Sequence, residues 1–301
     1  MNEEGPPAWN VTVKDLETNA ASTTTCDALL ICNGHYSVPR IPHIRSIECF
    51  KGRKIHSHDY REPFLYKDDT VVILGAAASG LDICLEISRV ARKVFLSHNQ
   101  PVNHPSEFPA NVEQVRGVVE ATEKGFNLMD GSHIEADVIM FCTGYDFSFP
   151  FLTKDCGITV EDNVVKPLYK HLIHSAYPSM AFIGIPFLVC PFPLFDFQVQ
   201  FFLKFVGGLI SLPSKTEMDE QTQKELEEKC GTGKPIKYFH KFGPMQWIYN
   251  NDLAALGDIP PLPPVVEKIY ETVSDLRRTH LMEYKASCYK ILGPDIFSRL
   301  K

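Results

Sequence analysis

The sequence carries nine cysteines, at 26, 32, 49, 84, 142, 156, 190, 230 and 288, and no Cys-x-x-Cys pair among them. A dithiol oxidoreductase needs two thiols side by side, so this absence weighs against a disulfide reductase. The odd count also predicts buried, reduced thiols in an intracellular protein rather than a disulfide framework. Positive charge is scarce. Thirty Lys and Arg stand against 37 Asp and Glu, for a formal net charge of −7. Nucleic-acid phosphates need a basic face, and none is written here. A secretory signal is missing, since Met1-Asn-Glu-Glu-Gly-Pro-Pro7 is acidic and proline-rich. A long apolar run is missing too. The most apolar stretch, 181–212, is broken by Pro186, Pro191, Pro193, Asp196 and Lys204, too often for a membrane helix of about 20 residues. It reads as buried core leading into a helix from about Leu194, with peripheral membrane contact as the alternative. No acid–base triad stands out among the histidines.

What is present fits an α/β protein. A chain of 301 residues holds one large or two medium domains. Its 44% hydrophobic content, 18 Gly and 22 Pro are ordinary for that class. One strand pattern occurs twice without a gap, as Asp27-Ala-Leu-Leu-Ile-Cys-Asn33-Gly34-His35 and as Asp137-Val-Ile-Met-Phe-Cys-Thr143-Gly144-Tyr145. Each follows a hairpin-like stretch, the second through an Asp130-Gly131 turn. A wholly apolar strand ending in Gly reads as a buried parallel strand whose tip meets a ligand. Two copies suggest two nucleotide-binding halves.

Only the second copy has a glycine loop upstream. Val71-Val-Ile-Leu74 is a short strand, Gly75-Ala-Ala77-Ala-Ser79-Gly80 follows, and an amphipathic helix runs from about Ser79 to Ala91. Lys93–His98 is the next strand, which completes a βαβ unit. In such a turn the first Gly permits the tight bend, the second admits a pyrophosphate, and the third lets helix pack on strand. Gly75 and Gly80 fill the outer positions, while Ala77 takes the middle one. The helix start then offers N–H groups and a partial positive charge to phosphate. NAD sites usually place a carboxylate at the end of the following strand. Ser97-His98-Asn99 has none, which favours NADP, although no Arg stands there either. Elsewhere, Ala20–Thr25 reads as a loop or hairpin tip, Met218–Glu228 as a surface helix, and Pro263-Pro264 as the opening of a helix to about Tyr284.

Between the halves stands Phe50-Lys-Gly52-Arg-Lys-Ile-His56-Ser-His58-Asp-Tyr60. Just before a glycine loop, this resembles the fingerprint of the flavin-containing monooxygenases and their Baeyer–Villiger relatives. Phe141-Cys-Thr-Gly-Tyr145 resembles that family's Phe-Ala-Thr-Gly-Tyr, with Cys142 for Ala. Asn33-Gly34-His35-Tyr36-Ser37-Val38-Pro39 resembles its Ala-Thr-Gly-His-x-x-x-Pro, with Asn33 for Thr. Phe182-Ile-Gly184-Ile-Pro186-Phe187 and Pro191-Phe-Pro193-Leu-Phe-Asp196-Phe-Gln198 resemble the segment that returns to the flavin. The likeness covers nearly the whole chain and is nearest the arthropod-type members.

The resemblance implies two Rossmann-like dinucleotide-binding domains, an NADP domain inserted in an incomplete FAD domain. Residues 1–45 would be the end of the first flavin segment, 46–68 a linker, 69–145 the NADP domain, and 146–301 the returning flavin segment with the C-terminal helices. It implies FAD and NADPH as cofactors. NADPH reduces FAD by hydride transfer, molecular oxygen reacts with the reduced flavin, and an amine nitrogen or sulfide of a small molecule takes one oxygen atom. This is the N,N-dimethylaniline monooxygenase type, tied to xenobiotic metabolism, in the cytoplasm or at the surface of the endoplasmic reticulum. Cofactor contacts would come from Gly75, Ala77, Ser79, Gly80, Ser97, His98, Thr143, Gly144, Asn33, Gly34, His56 and Gln198. His56 either orients the nicotinamide domain or braces the connector. Gln198 and Asp196 either face the flavin or sit on a helix surface. Tyr145 closes over cofactor or packs a hinge, and the aromatic 187–202 region lines a tunnel or is core. The family's own flavin glycine loop, and an Asn-containing segment, are expected ahead of residue 1. The alternative reading is therefore a non-catalytic NADP-binding remnant or an interaction protein.

Overall fold

The computed structural model describes residues 8–231 and 233–300; Met1–Pro7, read above for a signal pattern, lies outside them. Among the described residues the α-helices are Ala78–Ser88 (α1), Pro191–Val206 (α2), Lys215–Cys230 (α3), Met245–Gly257 (α4) and Pro264–Thr279 (α5). None of these is long and apolar enough to cross a membrane. The chain divides into two compact units. One joins the chain up to His35 with Phe147–Pro263, and the other joins Tyr36–Asp146 with the chain from Pro264 onward.

The second unit is built on a five-stranded, all-parallel sheet. Its strands lie in the order Arg53–His56, Val138–Phe141, Thr70–Leu74, Lys93–His98, Val112–Arg116. Alternation of side chains sorts the central strands onto two cores. Val71, Ile73, Val94, Leu96, Val138 and Met140 meet Leu81, Cys84 and Ile87 of α1 on one face. Val72, Ile139 and Phe141 meet Phe50, Phe126, Leu128 and Ile134 on the other. An antiparallel three-stranded sheet, Val118–Ala121, Gly125–Leu128 and His133–Glu135, supplies much of that second cover. Helix α1 stops at Ser88, short of the expected Ala91, and the Asn111 carboxamide donates to the Ser88 and Ala91 carbonyls beyond its last turn.

Two segments differ from the sequence expectation. Residues 46–68 are part of this unit rather than a linker. Phe50 is buried against the Phe126 ring at 4.6 Å. A Cβ on Gly52 would lie 2.4 Å from both the Phe50 ring and the Asp137 carbonyl oxygen, so only glycine lets the chain pass there. Arg53–His56 then adds to the parallel sheet beside Val138–Phe141. The chain from Pro264 also belongs here, not with 146–263. Leu281 is buried in the α1-side core, Tyr284 Oη donates to Asp82 of α1 at 3.1 Å, and Ser106 Oγ donates to the Arg278 carbonyl at 2.9 Å.

The first unit carries a four-stranded sheet in the order Leu168–Tyr169, Ile173–His174, Met180–Phe182, Leu29–Ile31. Leu29–Ile31 runs parallel to Met180–Phe182 but sits at the edge and is only partly buried, unlike its sequence twin Val138–Phe141. Where Ala20–Thr25 was expected as a loop or hairpin tip, Ala21–Cys26 is a strand paired with Trp9–Lys14. Its Ser-Thr-Thr-Thr run is polar and rich in β-branched Thr, suited to an exposed ribbon, and Thr12 and Thr23 hydroxyls bond across it at 2.9 Å. Helices α2, α3 and α4 enclose an aromatic core of Phe197, Phe201, Phe202, Phe242 and Tyr249. Capping fixes the start of α3, where Ser214 and Glu217 bond reciprocally.

Phe50→Ala is expected to cost about 3–5 kcal/mol, as for other buried large-to-small changes. A urea unfolding series on the full chain checks this.

Candidate dinucleotide site

The carboxyl ends of the parallel strands in the second unit converge on one rim. Leu74 runs into Gly75, whose N–H donates to the Ser97 carbonyl at 2.9 Å. Gly75 has φ +112°, and a Cβ there would stand 2.5 Å from the Cys142 carbonyl oxygen. Gly80 is tighter still, since its Cβ would stand 1.8 Å from the Gly75 oxygen. These two glycines therefore set the closest approach of loop, helix and the Val138–Phe141 strand. Cys142 is buried in the same spot, and burial pushes its thiol up to about 12. It packs and does not react.

Ala77 is the N-cap of α1 and no side chain caps it; Ala77, Ala78 and Ser79 are exposed. The helix thus presents uncapped first-turn N–H groups to solvent, which is the chemistry that receives phosphate. The residues present fit a dinucleotide pyrophosphate at this loop.

The next-strand residues behave differently. Ser97 is fully buried and its hydroxyl donates to the Arg116 carbonyl at 3.0 Å. His98 is buried, with Nε2 3.3 Å from Gln114 Oε1 and Nδ1 accepting from the Gln100 N–H. Both side chains are engaged inside the unit. Thr143 donates its hydroxyl to the Arg40 carbonyl. Gly144 has φ +83° with open space where a Cβ would be.

His56 braces this rim. Its Nδ1 accepts the His58 N–H at 3.0 Å, so its Nε2 carries the proton and donates to the Gly144 carbonyl at 3.1 Å. Burial lowers its basicity and favours this neutral tautomer. Tyr145 stands edge-on to the His56 ring at 5.1 Å. An open cleft of about 510 Å³ adjoins it, lined by Pro39, Ile41, Ile55, His56, Asp59 and Phe141 among others.

Asn33, Gly34 and Gln198 lie in the other unit. Asn33 and Gly34 are exposed, and Gly34, at φ +73°, again has open space at its Cβ position. Gln198 is fully buried: its oxygen accepts the Gly184 N–H and its amide donates to Tyr249 Oη, both at 2.9 Å. Asp196 is exposed and accepts from Gln200. Among the described residues this unit holds no strand–glycine-loop–helix of its own. The described residues therefore do not make a pyrophosphate cradle for a second dinucleotide.

Sequence reading passed over a buried polar chain in that unit. The Val165 N–H donates to His240 Nε2 at 3.0 Å. His240 Nδ1 must then carry the proton, and it donates to His171 Nδ1 at 2.7 Å. His171 in turn donates from Nε2 to Glu225 at 2.9 Å, and Lys229 reaches the same carboxylate at 2.8 Å. Burial pushes both imidazoles down. Burial works against the Glu225 charge, yet the His171 bond and Lys229 hold its carboxyl below the usual range. Two histidines separated by 69 residues leave no local pattern to find.

Comparison with known proteins decides the family. The flavin-binding monooxygenase-like family model matches residues 4–102 and 105–255. The chain belongs to that family. It is 39% identical over 246 residues to flavin-containing monooxygenase FMO GS-OX-like 2 of Arabidopsis thaliana, covering 78% of this chain and 52% of that protein. It is 31% identical over 301 residues to senecionine N-oxygenase of Tyria jacobaeae, covering 97% and 65%. Among solved structures, S-allyl-L-cysteine S-oxygenase from Allium sativum matches at TM-score 0.87 and 33% identity, covering 92% of this chain and 64% of that one. The chain thus spans between about half and two thirds of these relatives' lengths. The mixed α/β fold with its parallel sheet is the fold of these two-domain flavin monooxygenases.

Gly80→Val is expected to abolish binding of NADP⁺, measured by titration calorimetry, because the added methyls meet the Gly75 carbonyl; normal affinity in that variant would overturn the loop assignment. A second expectation concerns pH. His171 and His240 are buried neutral, with folded pKa values below the ordinary imidazole value of about 6.5. Their contribution is present above that pH and is lost as pH falls through it, because the unfolded chain then binds protons the folded one refuses. Unfolding free energy should drop by up to about 1.4 kcal/mol per pH unit per histidine. His240→Gln should flatten that slope in urea titrations between about pH 7 and 5.5.

Proposed function

We propose that this chain is part of an NADPH- and FAD-dependent monooxygenase that oxygenates nitrogen or sulfur in small molecules. The observation that carries this is the uncapped α1 start behind Gly75 and Gly80, in a chain that belongs to the flavin-binding monooxygenase-like family. The relatives named as an S-oxygenase and an N-oxygenase support the same pair of acceptor atoms. Bound together, the nicotinamide and flavin would supply hydride transfer and oxygen activation.

The chain's own residues do the placing. Gly75 sets the turn, and Ala77, Ser79 and Gly80 present backbone N–H groups to the nicotinamide dinucleotide's pyrophosphate. His56 holds the Gly144 carbonyl, and Thr143 holds the Arg40 carbonyl, so the rim beside the loop keeps its shape. NADP is preferred over NAD because no carboxylate stands at Ser97-His98-Asn99 to repel a 2′-phosphate. Asn33 and Gly34 offer open backbone to the flavin, and Gln198 acts at one remove by fixing Gly184. Xenobiotic amines and sulfides are the substrate class, and the surface of the endoplasmic reticulum is the membrane setting.

A second reading has its own support. With one glycine loop among the described residues, the chain alone is a nicotinamide-nucleotide-binding protein without oxygenase activity. The absorbance spectrum of the purified chain, with and without added FAD, separates the two. Oxidised flavin that stays bound and bleaches on anaerobic NADPH is the expected result for a working reductive half. Colourless protein that still binds NADP⁺ selects the second reading.

A further inference from the structure

The residues expected to read the adenosine ribose do not face a ligand. Ser97 and His98 close the Lys93–His98 strand, and both are turned inward and bonded. The exposed residues at that strand end are Asn99 and Gln100, neither of them charged. A preference for a 2′-phosphate needs more than the absence of a repelling carboxylate. It needs a cation.

The neighbouring strand brings one. Val112–Arg116 runs parallel to Lys93–His98, with Arg116 in register with His98. Arg116 therefore sits on the same carboxyl rim as Gly75, one strand beyond the ribose strand. Its guanidinium is folded over the loop that follows His98. Nη1 donates to the Gln100 carbonyl at 2.7 Å and Nη2 to the Pro101 carbonyl at 3.2 Å. The loop is shaped to allow this. A Cβ on Gly117 would stand 1.8 Å from the Asn99 side-chain oxygen, so glycine after Arg116 lets Asn99 lie across the strand end. Carbonyl partners fix the guanidinium in place without cancelling its charge, and three of its five N–H donors remain unspent. The acidic group its charge reaches, Asp130, is itself engaged by the Ser132 N–H at 3.0 Å and the Ser132 hydroxyl at 2.6 Å.

We infer that Arg116 is the specificity residue for NADP over NAD in this chain, receiving the 2′-phosphate through the guanidinium edge left free over the Gln100–Pro101 turn. The inference rests on the dinucleotide reading of the Gly75–Gly80 loop and adds to it a residue from outside the βαβ unit. A planar fork held at one edge by backbone is pre-organised to bind phosphate bidentately with the other.

The test compares ligands that differ only by the phosphate in question. Binding of 2′,5′-ADP and of 5′-AMP, and of NADP⁺ and NAD⁺, is measured by titration calorimetry on the full chain and on Arg116→Ala and Arg116→Lys. The expected result is tenfold or greater weakening of 2′,5′-ADP and NADP⁺ in R116A, with 5′-AMP and NAD⁺ within twofold of the parent. R116K should recover part of the preference, because charge remains while the fork is lost. An unchanged ratio of NADP⁺ to NAD⁺ affinity in both variants would overturn the inference and leave the loop reading standing. Equal loss of both ligands in R116A and R116K alike would also overturn it, showing a role in loop shape alone. A parent chain that binds none of the four would instead sink the dinucleotide reading.

Discussion

Everything in the dinucleotide unit depends on one close approach. The backbone of Gly75, the first turn of α1 at Gly80 and the carbonyl of Cys142 meet where no Cβ can stand. That contact forces the chain out of the strand at a positive φ, aims α1 back along the sheet, and leaves the helix start bare. The bare helix start proposed to receive phosphate is therefore a by-product of helix–strand packing. The Ala at 77 is tolerated because it lies on the open side of the turn, away from the contact.

The family fingerprint turns out to be largely architecture. Phe50 fills the second core, Gly52 clears the Asp137 carbonyl, and Arg53–His56 extends the parallel sheet. His56 spends both ring nitrogens on backbone, one on His58 and one on Gly144. A signature that reads as chemistry thus works by holding a glycine in position at the sheet rim. The same logic applies in the other unit, where Gln198 is wholly occupied with Gly184 and Tyr249.

What was legible in the sequence was what local pattern encodes. The glycine loop, α1, the strands at 70–74, 93–98 and 138–141, and the Asp130-Gly131 hairpin all follow from short runs of apolar and turn residues. Leu29–Ile31 has the same apolar spelling as Val138–Phe141, yet it is an edge strand, because pairing partners are set by distant residues. The polar strand Ala21–Cys26 hid for the opposite reason, having no buried face to mark a period. Helix α4 escaped notice because buried Gln246, Trp247 and Asn250 interrupt any simple apolar stripe. Arg116 carries no local signal, because the Val112–Arg116 strand mixes charged and polar residues with its valines. Its position beside His98 is a fact of sheet order, which no single window contains.

The placement of α5 has a consequence for how the molecule comes into being. Contacts that finish the dinucleotide unit span extreme separations, 172 residues from Ser106 to Arg278 and 202 from Asp82 to Tyr284. The unit begun at Tyr36 is closed by residues made after the whole of Phe147–Pro263 has been synthesised. During that interval the α1 side of the sheet lacks Leu281 and Tyr284 as cover. Long-range closure of this kind slows folding and leaves apolar surface open to wrong partners. The nascent dinucleotide unit is thus an unfinished body until Arg278, Leu281 and Tyr284 have been made, and those residues act as its latch.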